Sequence, residues 1–176
     1  MKIEVSPAPD GVAIVRNLFA LYAHDMSAFV GLDVGDDGAF AIPASVASYW
    51  SGPDASERFP FLVRADGKLA GFALIRRIVV NPDTYDMGEF FILRKYRRSG
   101  IGRFVACTLF DRFAGAWEVR ELPSNAAAQA FWRRIIGDYT RDAFTEGQEF
   151  FAAHGREFVV QRFRTGHDRP AIPPIR

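Results

Sequence analysis

The sequence predicts an α/β (α+β) fold, on three observations. Stretches with apolar residues at helical spacing alternate along the chain with short runs rich in β-branched and aromatic residues. Asp66-Gly67 lies inside "PFLVRADGKLAGFALIRRIVV" between two such runs, and this dipeptide marks a two-residue hairpin because both central positions of the favoured turn need positive φ. "GEFFIL" is almost wholly apolar, which suits a strand covered on both faces.

In order, "IEV" reads as a short strand that stops at "SPAPDG", where Asp10 can cap a helix. That helix carries Val15, Leu18, Phe19, Tyr22, Met26 and Phe29 on an apolar stripe, and "GLDVGDDG" breaks it. A short helix, "PASVASYW", and a polar loop, "SGPDASER", lead into the hairpin and then "GEFFIL". After the loop "RKYRRSG" comes a helix with Ile101, Phe104, Val105, Thr108 and Leu109 on one stripe. "WEVREL" is the next strand. "SNAAAQAFWRRII" opens on a Ser/Asn cap and presents Ala128, Phe131, Trp132 and Ile135, and "REFVVQRF" is the last strand. Residues 1–163 are expected to form one domain, with 164–176 a proline-rich tail that adds no core.

Composition narrows the function. The chain has 176 residues, 49% of them hydrophobic and 24% charged, near the averages for soluble domains. A net charge of +1 gives no global attraction to nucleic acid or anionic membrane, so neither is expected as a partner. The single cysteine, Cys107, excludes an intramolecular disulfide and a multi-cysteine zinc site, and His24, His154 and His167 are too scattered to argue for a metal. "MKIEVSPAPD" has no signal-peptide core and no stretch reaches the length of a membrane span, which makes a reducing cytoplasm the default location.

The densest basic cluster precedes the helix at Ile101. A helix start carries unpaired N–H groups and a partial positive charge, which suits a phosphate. Gly100 and Gly102 lack Cβ and let an anion approach the backbone, while Arg97, Arg98 and Arg103 add charge. The alternative is a glycine-relieved turn with solvated arginines. A dinucleotide fingerprint would need a small residue where Val105 stands, and no Gly-Lys-Ser/Thr supports a P-loop. "DVGDDGAFAIPA" matches a calcium loop at Asp33, Asp37 and Gly38 but has Gly35 and Ala44 where oxygen ligands belong, and reads as a turn.

Arg97-Arg98-Ser99-Gly100-Ile101-Gly102 resembles the Arg/Gln-x-x-Gly-x-Gly/Ala signature of the GCN5-related N-acetyltransferase (GNAT) superfamily, and "NAAAQAFW" resembles its Asn-x-x-Ala-x-x-Phe-Tyr element. The two motifs cover roughly Ala70 to Ile136 in the family's order of elements. The resemblance implies a mixed, mostly antiparallel sheet with helices on both faces, and acetyl-CoA as cosubstrate with no metal. It places the pantetheine arm against the main chain around Leu93. The pyrophosphate falls to the amides of Arg98, Ser99, Gly100, Ile101, Gly102 and Arg103, with Arg97 at the head of the signature. Asn125 matches a cofactor-contacting position, and an ordinary N-cap accounts for it equally well.

The implied reaction is transfer of acetyl to a primary amine of a small molecule or peptide, by direct attack in a ternary complex. An amine of lysine type, with a pKa near 10.4, must lose a proton first. Glu89 is the candidate base, as the ionisable residue of an apolar strand leading to the cofactor loop, where partial burial would raise its pKa; pairing with Arg76 or Arg77, or a solvated strand end, is the alternative. Cys107 reads as a small core residue. Trp132 stands where many family members have a tyrosine that protonates the leaving thiolate, and an indole N–H cannot do so. A silent coenzyme A-binding sensor or scaffold is therefore the second reading. Tyr22, His24, Asp25, Phe29, Tyr49 and Trp50 are candidates to meet the acceptor, although Tyr22 and Phe29, on the apolar stripe of the helix, read better as core. A homodimer is suggested by the resemblance alone.

Overall fold

The computed structural model describes residues 1–166; His167 and the rest of the expected tail from 167 to 176 lie outside the described residues. The elements run β1 (Ile3–Pro7), α1 (Val12–Val30), α2 (Ala44–Ala47), β2 (Arg58–Ala65), β3 (Lys68–Ile78), β4 (Asn81–Ile92), α3 (Ile101–Arg112), β5 (Gly115–Glu121), α4 (Ala126–Thr140), β6 (Phe144–Phe151) and β7 (Arg156–Thr165). Among the described residues seven strands form one sheet, in the order β1-β2-β3-β4-β5-β7-β6. Pairing is antiparallel at β1–β2, β2–β3, β5–β7 and β6–β7 and parallel at β4–β5, so the sheet is mixed and mostly antiparallel. The parallel ladder runs from Thr84–Ala116 to Asp86–Glu118, and β4 continues past it to Ile92.

The chain divides into two compact units, Met1–Arg76 with Glu89–Tyr96, and Arg77–Gly88 with Arg97 onward. In the first, Val15, Leu18, Phe19 and Ala23 of α1 and Val46 of α2 close a core with Leu62, Phe72, Leu74 and Phe91 from β2, β3 and β4. Each of the valine, leucine and phenylalanine side chains contributes about 1.5–3 kcal/mol by leaving water. The predicted hairpin is present: Asp66 and Gly67 take φ of 47° and 76°, and Asp66 also exchanges bonds with the main chain of Lys2. Two expectations for α1 need correcting. Gly11, not Asp10, is its N-cap, with no side-chain bond, because the chain passes so close to Ala8 that a Cβ at Gly11 would meet the Ala8 Cβ at 2.7 Å. Phe29 is not core: it lies beyond the last packed turn and stays 39% exposed.

In the second unit Phe110 of α3 is the hub, with ring centroids 4.9 Å from Trp117 and Phe163, 5.1 Å from Tyr139 and 6.3 Å from Trp132. Cys107 is buried, as a small core residue should be. β6 has no counterpart among the strands expected from the sequence. Its residues alternate no apolar stripe and are mostly exposed, and main-chain pairing with β7 at the end of the sheet order holds it. β7 runs to Thr165, past the expected domain boundary at 163, and the Thr165 hydroxyl receives the Gly115 N–H at 3.0 Å.

Candidate active site

The segment after β4 starts with a single turn, Arg94–Tyr96, whose first residue bonds back to α1: Asp25 Oδ1 accepts from Arg94 Nε at 3.1 Å and Nη2 at 2.7 Å. Leu93 is half-buried, donates its N–H to Ala70 O and accepts the Tyr96 N–H, each at 2.8 Å. Its own main chain is thus largely engaged. Strand alternation turns the main chain of Ile92 to the opposite side of β4.

From Arg97 on, the chain turns sharply into α3. Arg98 and Gly100 have φ of 61° and 84°, a conformation ordinary for glycine and uncommon for arginine. Gly100 is the N-cap of α3, with no side-chain capping bond and no acidic residue in the first turn. The first intrahelical bond to Gly100 O comes from Phe104 at 3.0 Å, so the amides of Ile101, Gly102 and Arg103 precede it, and the helix start is left positive. Arg97, Arg98, Ser99, Gly100 and Arg103 are exposed, Gly102 is half-buried and the Ile101 side chain is fully buried, anchoring the turn and leaving only its backbone for a ligand. Arg103 stands 3.8 Å from Asp138 of α4 at half-exposed positions, a pair worth little.

Asn125 caps α4: its Oδ1 accepts the Ala128 N–H at 3.1 Å. Gln129 Nε2 closes the loop before it by donating to Leu122 O and Pro123 O. Trp132 is buried, 5.0 Å from the Phe131 ring. Tyr139, also buried, donates its hydroxyl to Asp111 at 2.6 Å.

Glu89 is half-buried on β4, hydrogen-bonded to the hydroxyl of Tyr22 on α1. Burial first, and the Glu89 charge and hydrogen bond after it, hold the Tyr22 phenol well above its ordinary pKa, so it remains a donor. The Tyr22 ring packs edge-on against Phe19, Phe72 and Phe91 at 5.5–6.0 Å. Of the other acceptor candidates, His24 is exposed, Tyr49 is buried under Arg58, and Trp50 donates to Ala8 O at 2.9 Å. Trp50 thereby ties the N-terminal turn in place.

Two polar clusters of the second unit lie outside the residues singled out in the sequence. Arg120 pairs with the buried Asp86 and lies 3.6 Å from Glu118, which bonds Arg162, itself paired with Glu149. On the other side of β5, Glu121 is 4% exposed and neither carboxyl oxygen has a hydrogen-bond partner. Burial, followed by the Glu146 charge, pushes its pKa up to about 8 against the pull of Arg133. The period-two alternation of "WEVRE" could have found it, since Glu121 shares parity with the apolar Trp117 and Val119. Among the described residues no group of His, Cys, Asp and Glu could hold a metal, and no helix is long and apolar enough to cross a membrane.

This fold, with a basic helix start after β4 that Gly100 caps, is similar to that of solved acetyltransferases. It is similar to an acetyltransferase from Thermus thermophilus at TM-score 0.66 and 14% identity, over 93% of this chain and 97% of that one. It is also similar to the ribosomal-protein-S18-alanine N-acetyltransferase from Escherichia coli, at TM-score 0.56 and 18% identity over 98% and 99%. A third likeness is to the PaiA N-acetyltransferase from Thermoplasma acidophilum in complex with coenzyme A, at TM-score 0.59 and 12% identity over 92% and 98%. No curated protein matches in sequence. The profile of the acetyltransferase (GNAT) family matches residues 20–137, and the chain belongs to that family.

Proposed function

We propose that the chain transfers the acetyl group of acetyl-CoA to a primary amine of a small molecule, by direct attack of the amine while both substrates are bound. The observation that carries this reading is the start of α3, a helix N-terminus with no side-chain capping bond and no acidic residue, entered through two left-handed residues and flanked by exposed arginines. That arrangement fits a pyrophosphate: the amides of Ile101, Gly102 and Arg103 would donate to it, and Arg97 and Arg98 would neutralise it through charge-assisted bonds. The pantetheine arm would run along the main chain at the end of β4.

Acetyl-CoA supplies an acyl group already activated as a thioester, so the chain needs no nucleophile of its own, in keeping with the burial of Cys107. Glu89 would accept the proton that the attacking amine sheds. Main-chain N–H groups near the end of β4 would polarise the reacting carbonyl. No tyrosine is offered to the departing thiolate at position 132, and a thiol of pKa near 8.5 can leave and take its proton from water. A reducing, cytoplasmic setting belongs to the same reading.

The test is incubation with acetyl-CoA and a panel of small-molecule and peptide amines, with N-acetyl products read by mass spectrometry alongside thiol release. We expect at least one acetylated amine. The burial of Trp132 and the engagement of Tyr139 with Asp111 favour a second reading, a coenzyme A-binding module without transfer. Binding of acetyl-CoA with no acetylated amine across the panel would select that reading over ours.

A further inference from the structure

The base assigned to Glu89 does not stand alone on β4. Tyr22 and Asp25 lie three residues apart on α1, on one helical face. Tyr22 bonds Glu89 within β4, and Asp25 bonds Arg94 just after it, so one turn of α1 clasps the end of this strand at two points. The clasp at Tyr22 differs in kind from an ordinary surface bond. Its ring is fixed by three aromatic neighbours, Phe19 of its own helix, Phe72 of β3 and Phe91 of β4, which leaves the hydroxyl little freedom to point elsewhere.

We propose that Tyr22 is the positioning residue of the proposed base: its hydroxyl donates to the Glu89 carboxylate and holds it in one orientation at the end of β4. The inference rests on the reading of Glu89 as base. A neutral donor on a carboxylate favours the charged form, the form that can take a proton from an amine. Burial and the Glu89 charge both favour the protonated phenol, so the hydroxyl stays a donor to Glu89. Tyr22 therefore sets the direction of the base. This also removes Tyr22 from the set of residues expected to touch the acceptor by its hydroxyl.

The test replaces Tyr22→Phe, which keeps the ring and its three aromatic contacts and deletes the donor. The Glu89 side-chain carboxyl is titrated by carbon-13 NMR in the full chain, its resonance identified by its loss in Glu89→Gln. Asp25 and His24 on α1, Arg58 on β2, Arg76 on β3 and Arg94 after β4 are unchanged between the two proteins, so the difference isolates the hydroxyl. We expect the Glu89 midpoint to rise by about one pH unit in Tyr22→Phe. With an acceptor in hand, the acidic limb of kcat/KM should move up by the same amount while the far-ultraviolet spectrum stays the same. An unmoved Glu89 midpoint overturns the inference. An unaltered pH profile in Glu89→Gln overturns the base reading, and the two failures are read from separate measurements.

Discussion

Replacing Glu121 with glutamine should stabilise the protein more the higher the pH. Glu121 ends β5 on the same side as Trp117 and Val119, buried and without a hydrogen-bond partner, near Glu146 of β6 and Arg133 of α4. Its pKa rises from 4.5 to about 8 on folding, so between those values the native state binds a proton that the unfolded chain has lost. Stability must therefore fall as pH rises through that window and level off above it. At about 1.4 kcal/mol per pH unit the ceiling is about 3 kcal/mol at pH 7 and 4–5 kcal/mol at pH 9. Glutamine has the same shape, stays neutral and removes this linkage. Glu146, whose pKa is lowered by its bond to Arg133, titrates with the opposite sign at lower pH, and does so in both proteins. Urea unfolding followed by tryptophan fluorescence at pH 5, 7 and 9 gives the comparison. We expect a difference near zero at pH 5 that grows to at least about 2 kcal/mol at pH 9, with equal urea slopes. A pH-independent difference would refute the reasoning.

Three further substitutions test other parts of the account. Gly102→Val, in the first turn of α3, should abolish acetyl-CoA binding in calorimetry with little change in melting temperature, because the added side chain occupies the approach to the helix amides. Gly71→Ala puts a Cβ 2.0 Å from the Phe91 carbonyl oxygen and should cost about 3 kcal/mol in urea unfolding, since main chain cannot give way there. Asn125→Ala removes the α4 cap and should cost about 1 kcal/mol. An unchanged acetyl-CoA affinity in that variant would leave capping as the whole role of Asn125, and weaker binding would add a cofactor contact.

Local chemistry made much of the architecture legible. Asp66-Gly67 marks a hairpin because few residues tolerate two consecutive positive φ values, and the uniform apolarity of "GEFFIL" marks the C-terminal half of β4. The start of β4 is not legible, since Asn81, Pro82 and Asp83 are exposed and carry no strand pattern. β6 is hidden for the same reason: its residues carry no apolar alternation, and main-chain pairing with β7 together with ion pairs such as Arg162–Glu149 holds it. At the candidate site, the glycines and arginines of the loop are readable, while the left-handed turn at Arg98 is not, because nothing in an arginine announces positive φ. Tyr22 looks like core, and its ring is. Only the fold reveals that its hydroxyl reaches Glu89, a residue far along the chain.

The most direct test of the central claim, that the start of α3 receives the pyrophosphate of acetyl-CoA, is the melting temperature with and without acetyl-CoA and coenzyme A, in the unaltered chain and in Gly102→Val. A ligand bound only to the folded state at a hundred times its Kd adds about 2.7 kcal/mol, roughly 5–10 °C for a chain of this size. A shift of that order is expected with both ligands in the unaltered chain and none in Gly102→Val. No shift at millimolar acetyl-CoA, or an equal shift in the variant, would contradict it.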